Sequence, residues 1–235
     1  MSPFQIFLLN TNACFQSILD AFIFVLFADV PSTPGKPLVM SFSSRTVKLS
    51  WAPPLNVHSS PIQEYVIRVR NGEDTDWTDT VTVHTGNNST IYSVSGLKPF
   101  NVYSFRVSGV NGVGQSPESE ESYYMITLRE VPSGKPTITS AHNISSDSIY
   151  LAWEPPHPST IHGEFLGYQL SYRSRDAEKS NVTKIKIKGP NVSEYTIKNL
   201  SVFTQYLVSL EVVNPEGYGP ATTVVVMTDE GGNDD

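Results

Sequence analysis

Two histidines, His157 and His162, follow a Pro155-Pro156 pair within a few residues of one another, and two imidazoles at such a spacing could hold a divalent metal. A stable site needs further ligands and an element that aims them. The only cysteine, Cys14, lies far away, and no helical pattern aligns the pair, so it reads as a solvated loop with no metal assigned. His58, His84 and His142 are scattered singly, and neither a Gly-x-Ser-x-Gly nucleophile turn nor a phosphate-cradling glycine loop occurs. No catalytic residue and no cofactor are assigned, and the chain reads as non-enzymatic.

Modification chemistry is denser. Asn-x-Ser/Thr acceptors occur at Asn87, Asn88, Asn143, Asn181, Asn191 and Asn199, a crowding that points to an extracellular or lumenal address. Asn88, Asn143, Asn181, Asn191 and Asn199 are the glycosylation candidates. In Val182-Thr183-Lys184-Ile185-Lys186-Ile187-Lys188 the lysines take alternate positions, which on a strand places Lys184, Lys186 and Lys188 on one face and the isoleucines on the other. The favoured reading is protection of an edge strand against pairing with another molecule; a glycosaminoglycan-binding stripe is the sharper alternative. A net charge of −7 argues against nucleic acid as a partner, because phosphate binding needs a basic face. Trp77 stands in a polar turn region and is expected to be a packing cap rather than a binding hot spot. The loops Gly112 to Pro117 and Pro215 to Pro220 are places where a scaffold presents contacts, and neither holds Arg-Gly-Asp.

The elements that must position these groups appear twice. Leu97 stands six residues before Tyr103, apolar residues then alternate, and the run ends in Asn111-Gly112-Val113-Gly114; Leu200, Tyr206 and Asn214-Pro215-Glu216-Gly217 repeat the arrangement. This is a buried strand approached through a tight corner, with the tyrosine hydroxyl expected to reach back to the corner backbone. Upstream, Val47, Leu49 and Trp51 alternate with polar residues until Pro53-Pro54 stops the strand, and Ile149, Leu151, Trp153 and Pro155-Pro156 do the same. Strands led by Tyr65 and Tyr168 follow. Trp51, Tyr65, Leu97, Tyr103 and Trp153, Tyr168, Leu200, Tyr206 are thus the expected structural core, and replacing either Trp by Ala is expected to unfold its domain. In the first repeat further strands are expected over Thr80 to His84, Ser89 to Val94 and Ser122 to Leu128. Seven short strands with no helical period between them make each repeat a two-sheet sandwich, so the chain is all-β.

The boundaries follow from composition. Residues 31–129 form the first domain and 132–229 the second, each introduced by a proline-rich lead-in, Asp29 to Pro37 and Arg129 to Pro136; so short and stiff a joint implies an end-to-end pair. Residues 230–235 read as an acidic tail or truncated linker. Residues 1–28 include the eight-residue apolar run Ala21 to Ala28, the length of a signal-peptide core, but no Lys or Arg precedes it. The segment is read as a weak signal peptide or stray sequence that packs poorly on either domain. Asn10-Thr11-Asn12 and Asp20 interrupt it too soon for a membrane span.

With Trp followed by Pro-Pro, a Tyr strand, Leu six before the corner Tyr, and Asn-x-x-Gly after it, each repeat resembles a fibronectin type III domain. Gly163-Glu164-Phe165-Leu166-Gly167-Tyr168, Thr204 to Leu210 and Thr222 to Gly231 are similar to the fibronectin type III array of the sidekick family of neuronal cell-adhesion proteins, in the immunoglobulin superfamily. Arrays of LAR-type receptor tyrosine phosphatases, Dscam and contactin are close alternatives. The resemblance implies a non-catalytic spacer and protein-interaction segment of a cell-surface receptor, on the extracellular side of the plasma membrane or secreted. Its implied partners are other cell-surface proteins, with homophilic contact belonging to domains outside this chain. A LAR-type receptor ectodomain fragment and an intracellular muscle-type array are the competing readings. Absence of Trp-Ser-x-Trp-Ser and of paired cysteines disfavours a cytokine receptor.

Overall fold

A computed structural model describes residues 28–176 and 181–230. Nearly all of the apolar N-terminal segment, including Phe22 and Phe24, and the end of the acidic tail lie outside the described residues. The chain divides into two compact units, one built mainly from residues up to Thr127 and the other from Leu128 onward. They are called domain 1 and domain 2 below.

Domain 1 contains β1 (Leu38–Phe42), β2 (Thr46–Ser50), β3 (Glu64–Asn71), β4 (Val81–His84), β5 (Ile91–Ser95), β6 (Val102–Val110) and β7 (Met125–Ile126). Domain 2 contains β8 (Thr137–Ser145), β9 (Ser148–Glu154), β10 (Gly167–Ser174), β11 (Thr183–Lys188), β12 (Glu194–Ile197), β13 (Gln205–Asn214), β14 (Gly217–Tyr218) and β15 (Thr222–Met227). In domain 1 a sheet ordered β1-β2-β5 faces one ordered β4-β3-β6-β7; in domain 2, β12-β9-β8 faces β11-β10-β13-β14, with β15 also pairing β13. All pairings are antiparallel, so both domains are all-β sandwiches.

Alternation fills each core. Val47, Leu49 and Trp51 from one sheet meet Tyr65, Ile67, Val69, Phe105 and Val107 from the other, all nearly excluded from water. Ile149, Leu151 and Trp153 meet Tyr168, Leu170, Val208 and Leu210 in the same way. Each indole stands edge-on to its tyrosine, with centroids 5.2 Å apart for both Trp51–Tyr65 and Trp153–Tyr168. Burial pushes both phenols above their ordinary pKa, with the adjoining indole pulling the other way. Leu97, Tyr103, Leu200 and Tyr206 are buried as well, and the Tyr206 hydroxyl accepts the Ser201 N–H at 2.9 Å, locking the corner.

The Asn-x-x-Gly motif does more than turn the chain. Asn214 is 2% exposed; its Nδ2 donates to the Glu130 and Ile161 carbonyls, and its Oδ1 accepts from Glu216 and Gly217 N–H. Asn111 similarly ties the Asp29 and Val57 carbonyls to its own turn. One buried amide thus pins the lead-in of each domain to two of its loops, satisfying groups that would otherwise be stranded.

The proline-rich lead-in Asp29 to Pro37 stays outside the ladder, and the first strand begins at Leu38, once the prolines no longer remove ladder donors. One expectation needs correction. The last strand of domain 1, expected over Ser122 to Leu128, is only Met125–Ile126, because the preceding residues bond to β6 by another pattern.

Candidate interaction surface

That pattern shapes the outer face of the β4-β3-β6-β7 sheet. In Ser116-Pro117-Glu118-Ser119-Glu120-Glu121-Ser122 a serine recurs every third residue. Ser116, Ser119 and Ser122 donate their N–H to the carbonyls of Gly109, Val107 and Phe105, and their Oγ atoms accept the N–H of those same residues at 2.9–3.0 Å. Each serine oxygen replaces the carbonyl that a regular strand would supply. Three residues of this segment advance for every two of β6, so the residue before each of the last two serines is carried to the outer face.

Those residues are Glu118 and Glu121, and Tyr124 continues the series. They meet three arginines. Arg68 lies directly opposite Arg106 in the β3–β6 register, a like-charge pair that would be unfavourable alone. Glu118 bridges it, accepting from Arg68 at 2.6 Å and Arg106 at 3.3 Å. Arg70 pairs with Glu121, donates to Tyr124 Oη at 2.6 Å and bonds Ser104 Oγ at 3.1 Å. Burial works to raise the Glu118 pKa, yet the hydrogen bonds and charges of Arg68 and Arg106 hold it below the ordinary value. Trp77 covers the cluster, its ring centroid 4.2 Å from the Arg106 guanidinium carbon and 5.0 Å from that of Arg70. Trp77 is half-buried over charge rather than over apolar side chains, and Arg70, placed by alternation on the solvent face, is only 8% exposed. The visible signal was the three-residue serine period beside three arginines on adjoining strands.

Domain 2 places other residues at these positions. Ser171 faces Ser209, whose Oγ shares a hydrogen bond with Thr223 Oγ1 at 3.0 Å. Lys184, Lys186 and Lys188 lie on β11, the outermost strand of its sheet, opposite Ser171, Gln169 and Gly167. All three are exposed, Ile187 is buried between them, and none forms an ion pair among the described residues. Gly167 (φ +133°) is needed beside this edge, since a Cβ there would lie 2.2 Å from the Ile187 carbonyl oxygen.

The sequons are unequal. Asn87 is committed to its own turn, donating to the Thr85 carbonyl and accepting the Ser89 N–H, whereas the adjoining Asn88 is exposed. Asn143 is half-buried on β8, while Asn181, Asn191 and Asn199 are exposed. Asn199 (φ +59°) occupies the left-handed position that Gly96 (φ +77°) takes before Leu97, a conformation asparagine tolerates. The two neighbouring histidines are not brought together on a common centre: His157 Nδ1 meets Ser159 Oγ at 2.8 Å and His162 Nε2 meets Ser133 Oγ at 2.7 Å.

The architecture is that of tandem immunoglobulin-like β-sandwich modules. The fibronectin type III domain family matches residues 32–124 and 134–228, and the chain belongs to that family. A receptor-type tyrosine-protein phosphatase of Aedes aegypti, mosPTP-1, is 52% identical over 213 residues, covering 90% of this chain and 16% of its own length. Mouse protein sidekick-2 is 30% identical over 82% of the chain, and the Drosophila melanogaster cell adhesion molecule Dscam1 is 31% identical over 86%; the chain spans 10% of each. A crystal structure of the chicken CNTN1 FN1-FN3 domains matches with a TM-score of 0.67 at 22% identity, over 85% of this chain and 67% of that one, which speaks to the fold alone. Fibronectin type III tandems of this kind occur in cell-surface adhesion receptors and in receptor-type phosphatases. No helix among the described residues is long and apolar enough to cross a membrane.

Proposed function

We propose that these two domains are a non-catalytic, extracellular spacer and protein-contact segment of a cell-surface receptor, and that the receptor is of the tyrosine-phosphatase type. The observation that carries the receptor class is the 52% identity to mosPTP-1 over nearly the whole chain. The segment works through shape: two self-contained cores hold outward faces of differing chemistry, the Arg–Glu–Trp face of domain 1 and the lysine edge of domain 2. A sidekick-type adhesion protein is the second reading, favoured by sidekick relatives in mouse and chicken at 26–31% identity.

Extending the transcript in both directions separates the two. A membrane span followed by phosphatase domains is expected; immunoglobulin domains upstream with no phosphatase downstream would overturn the first reading in favour of the second. For the extracellular address, the chain expressed in secreting cells should lose mass on treatment with an N-glycosidase, with Asn88→Gln removing one glycan and Asn87→Gln removing none. An unchanged mass for the secreted wild-type chain would count against that address.

A further inference from the structure

Among the described residues, one lateral edge of domain 1 is left uncovered. β1 is the outer strand of one sheet and β7 the outer strand of the other, and a groove of about 610 Å³ runs between them. Leu38, Met40, Phe42, Tyr123, Tyr124 and Ile126 border it, and their exposure ranges from 46% for Phe42 to 76% for Tyr123. With large side chains offering about 150–250 Å² each, the half-exposed set presents on the order of 500 Å² of apolar surface, near the upper end of what a soluble monomer leaves uncovered.

Both tyrosines are already fixed. The Lys36 ammonium sits 3.7 Å from the Tyr123 ring centroid, and Arg70 donates to the Tyr124 hydroxyl. Aromatic side chains held in place before contact lose little freedom on binding, which suits them as anchors. Two of the other outer strands carry deterrents to pairing: β11 has three lysines, and β8 contains the sequon residue Asn143. β1, reading Leu-Val-Met-Ser-Phe, contains no charge and no sequon.

We propose that this edge of domain 1 is a self-association surface, covered by the same edge of a second copy of the chain. A two-fold contact sets a patch against itself, so a patch rich in one sign of charge would repel its mate. This one is lined by apolar and tyrosine side chains, with Lys36 drawn onto the Tyr123 ring, and is suited to meet itself. Its area supplies the apolar centre of a contact that in stable complexes covers about 800 Å² per partner, the remainder being polar rim. The unpaired outer side of β1 offers backbone groups to its symmetry mate in the antiparallel sense. The proposal is independent of which receptor class the chain belongs to.

Sedimentation of the whole chain over a range of concentrations tests it. The weight-average mass should rise from that of a monomer towards twice that value as concentration increases. Met40→Glu with Tyr123→Glu, both at exposed positions, should weaken association at least tenfold without lowering the thermal midpoint. Lys184→Glu with Lys186→Glu should leave association unchanged. In a Cys14→Ser background, Ser41→Cys should form a disulfide-linked dimer under mild oxidation, a readout that does not depend on the double variant folding. A monomer at every concentration, association that survives the Met40/Tyr123 changes, loss of association in the lysine variant, or no cross-link through residue 41 would each overturn it.

Discussion

In domain 2 the last strand, β15, lies residue for residue along β13, from Thr222 opposite Leu210 to Met227 opposite Gln205, whereas the last strand of domain 1, β7, brings only Met125 and Ile126 into register with β6, an isolated bridge joining Gln115 to Val110 further along. The missing rungs in domain 1 are made by Ser116, Ser119 and Ser122, whose side-chain oxygens stand in for carbonyls. The two solutions satisfy β6 and β13 comparably but leave different outer faces. A regular strand sends every second residue outward, and at the compared positions domain 2 has Ser209 and Thr223 joined by one hydroxyl–hydroxyl hydrogen bond. The three-residue advance instead delivers Glu118 and Glu121 to the arginines of β3 and β6. How an edge is bonded therefore decides what chemistry the adjoining face can hold.

The largest effects should be the ones the domains share. Trp51→Ala and Trp153→Ala each leave a cavity in a closed core and should cost about 3–5 kcal/mol, confined to the domain that carries the change. Hydrogen exchange of the β6 and β13 amides reads this directly. Loss of protection on both strands from one substitution would break the picture of independent cores.

The next effect should separate them. Ser119→Ala strands the buried Val107 N–H and should lower domain 1 stability by about 1–3 kcal/mol, since an abandoned donor loses its solvation as well as its bond. Thr223→Ala in domain 2 removes an exposed hydroxyl–hydroxyl contact from a strand whose backbone ladder stays whole, and should cost no more than about 1 kcal/mol. Denaturant unfolding of the two variants gives the comparison. Equal losses would mean that the serine oxygens do not replace ladder acceptors.

What the sequence disclosed was whatever obeys a period. The Trp and Tyr strands, the Tyr206 corner and the lysine-bearing outer strand were legible because alternation and the Leu-to-Tyr spacing are local properties. The serine-bonded segment escaped because its period is three, matching neither strand nor helix, and Pro117 with its acidic neighbours reads as loop. Trp77 escaped for another reason: its partners Arg70 and Arg106 lie on two other strands, and only their pairing brings the guanidinium groups beneath one ring. Asn111 and Asn214 were visible as turn residues, but their hold on residues more than eighty positions upstream was not. The exposed β1–β7 edge likewise becomes apparent only when the sheet order is known.

The smallest effect concerns the charge that the serine segment delivers. The Glu118 carboxyl is held below its ordinary value of 4.5, so the folded form binds its proton less readily than the unfolded chain does. Its contribution is accordingly present above that value and is lost as the pH falls through the lower, folded pKa. At neutral pH, Glu118→Gln leaves Arg68 and Arg106 facing one another without a counter-charge, which should cost domain 1 about 1 kcal/mol or less after solvent screening. As the pH is lowered from 7 the wild-type carboxyl itself moves towards its neutral form, so the gap between the two proteins should shrink, and added salt at pH 7 should shrink it as well. Exchange protection on β6 measured along that acid series, with β13 as the internal reference, reports this. A gap that keeps the same size throughout the series would show that Glu118 acts through packing rather than charge, and would reduce the contrast between the two domains to the serine hydrogen bonds alone.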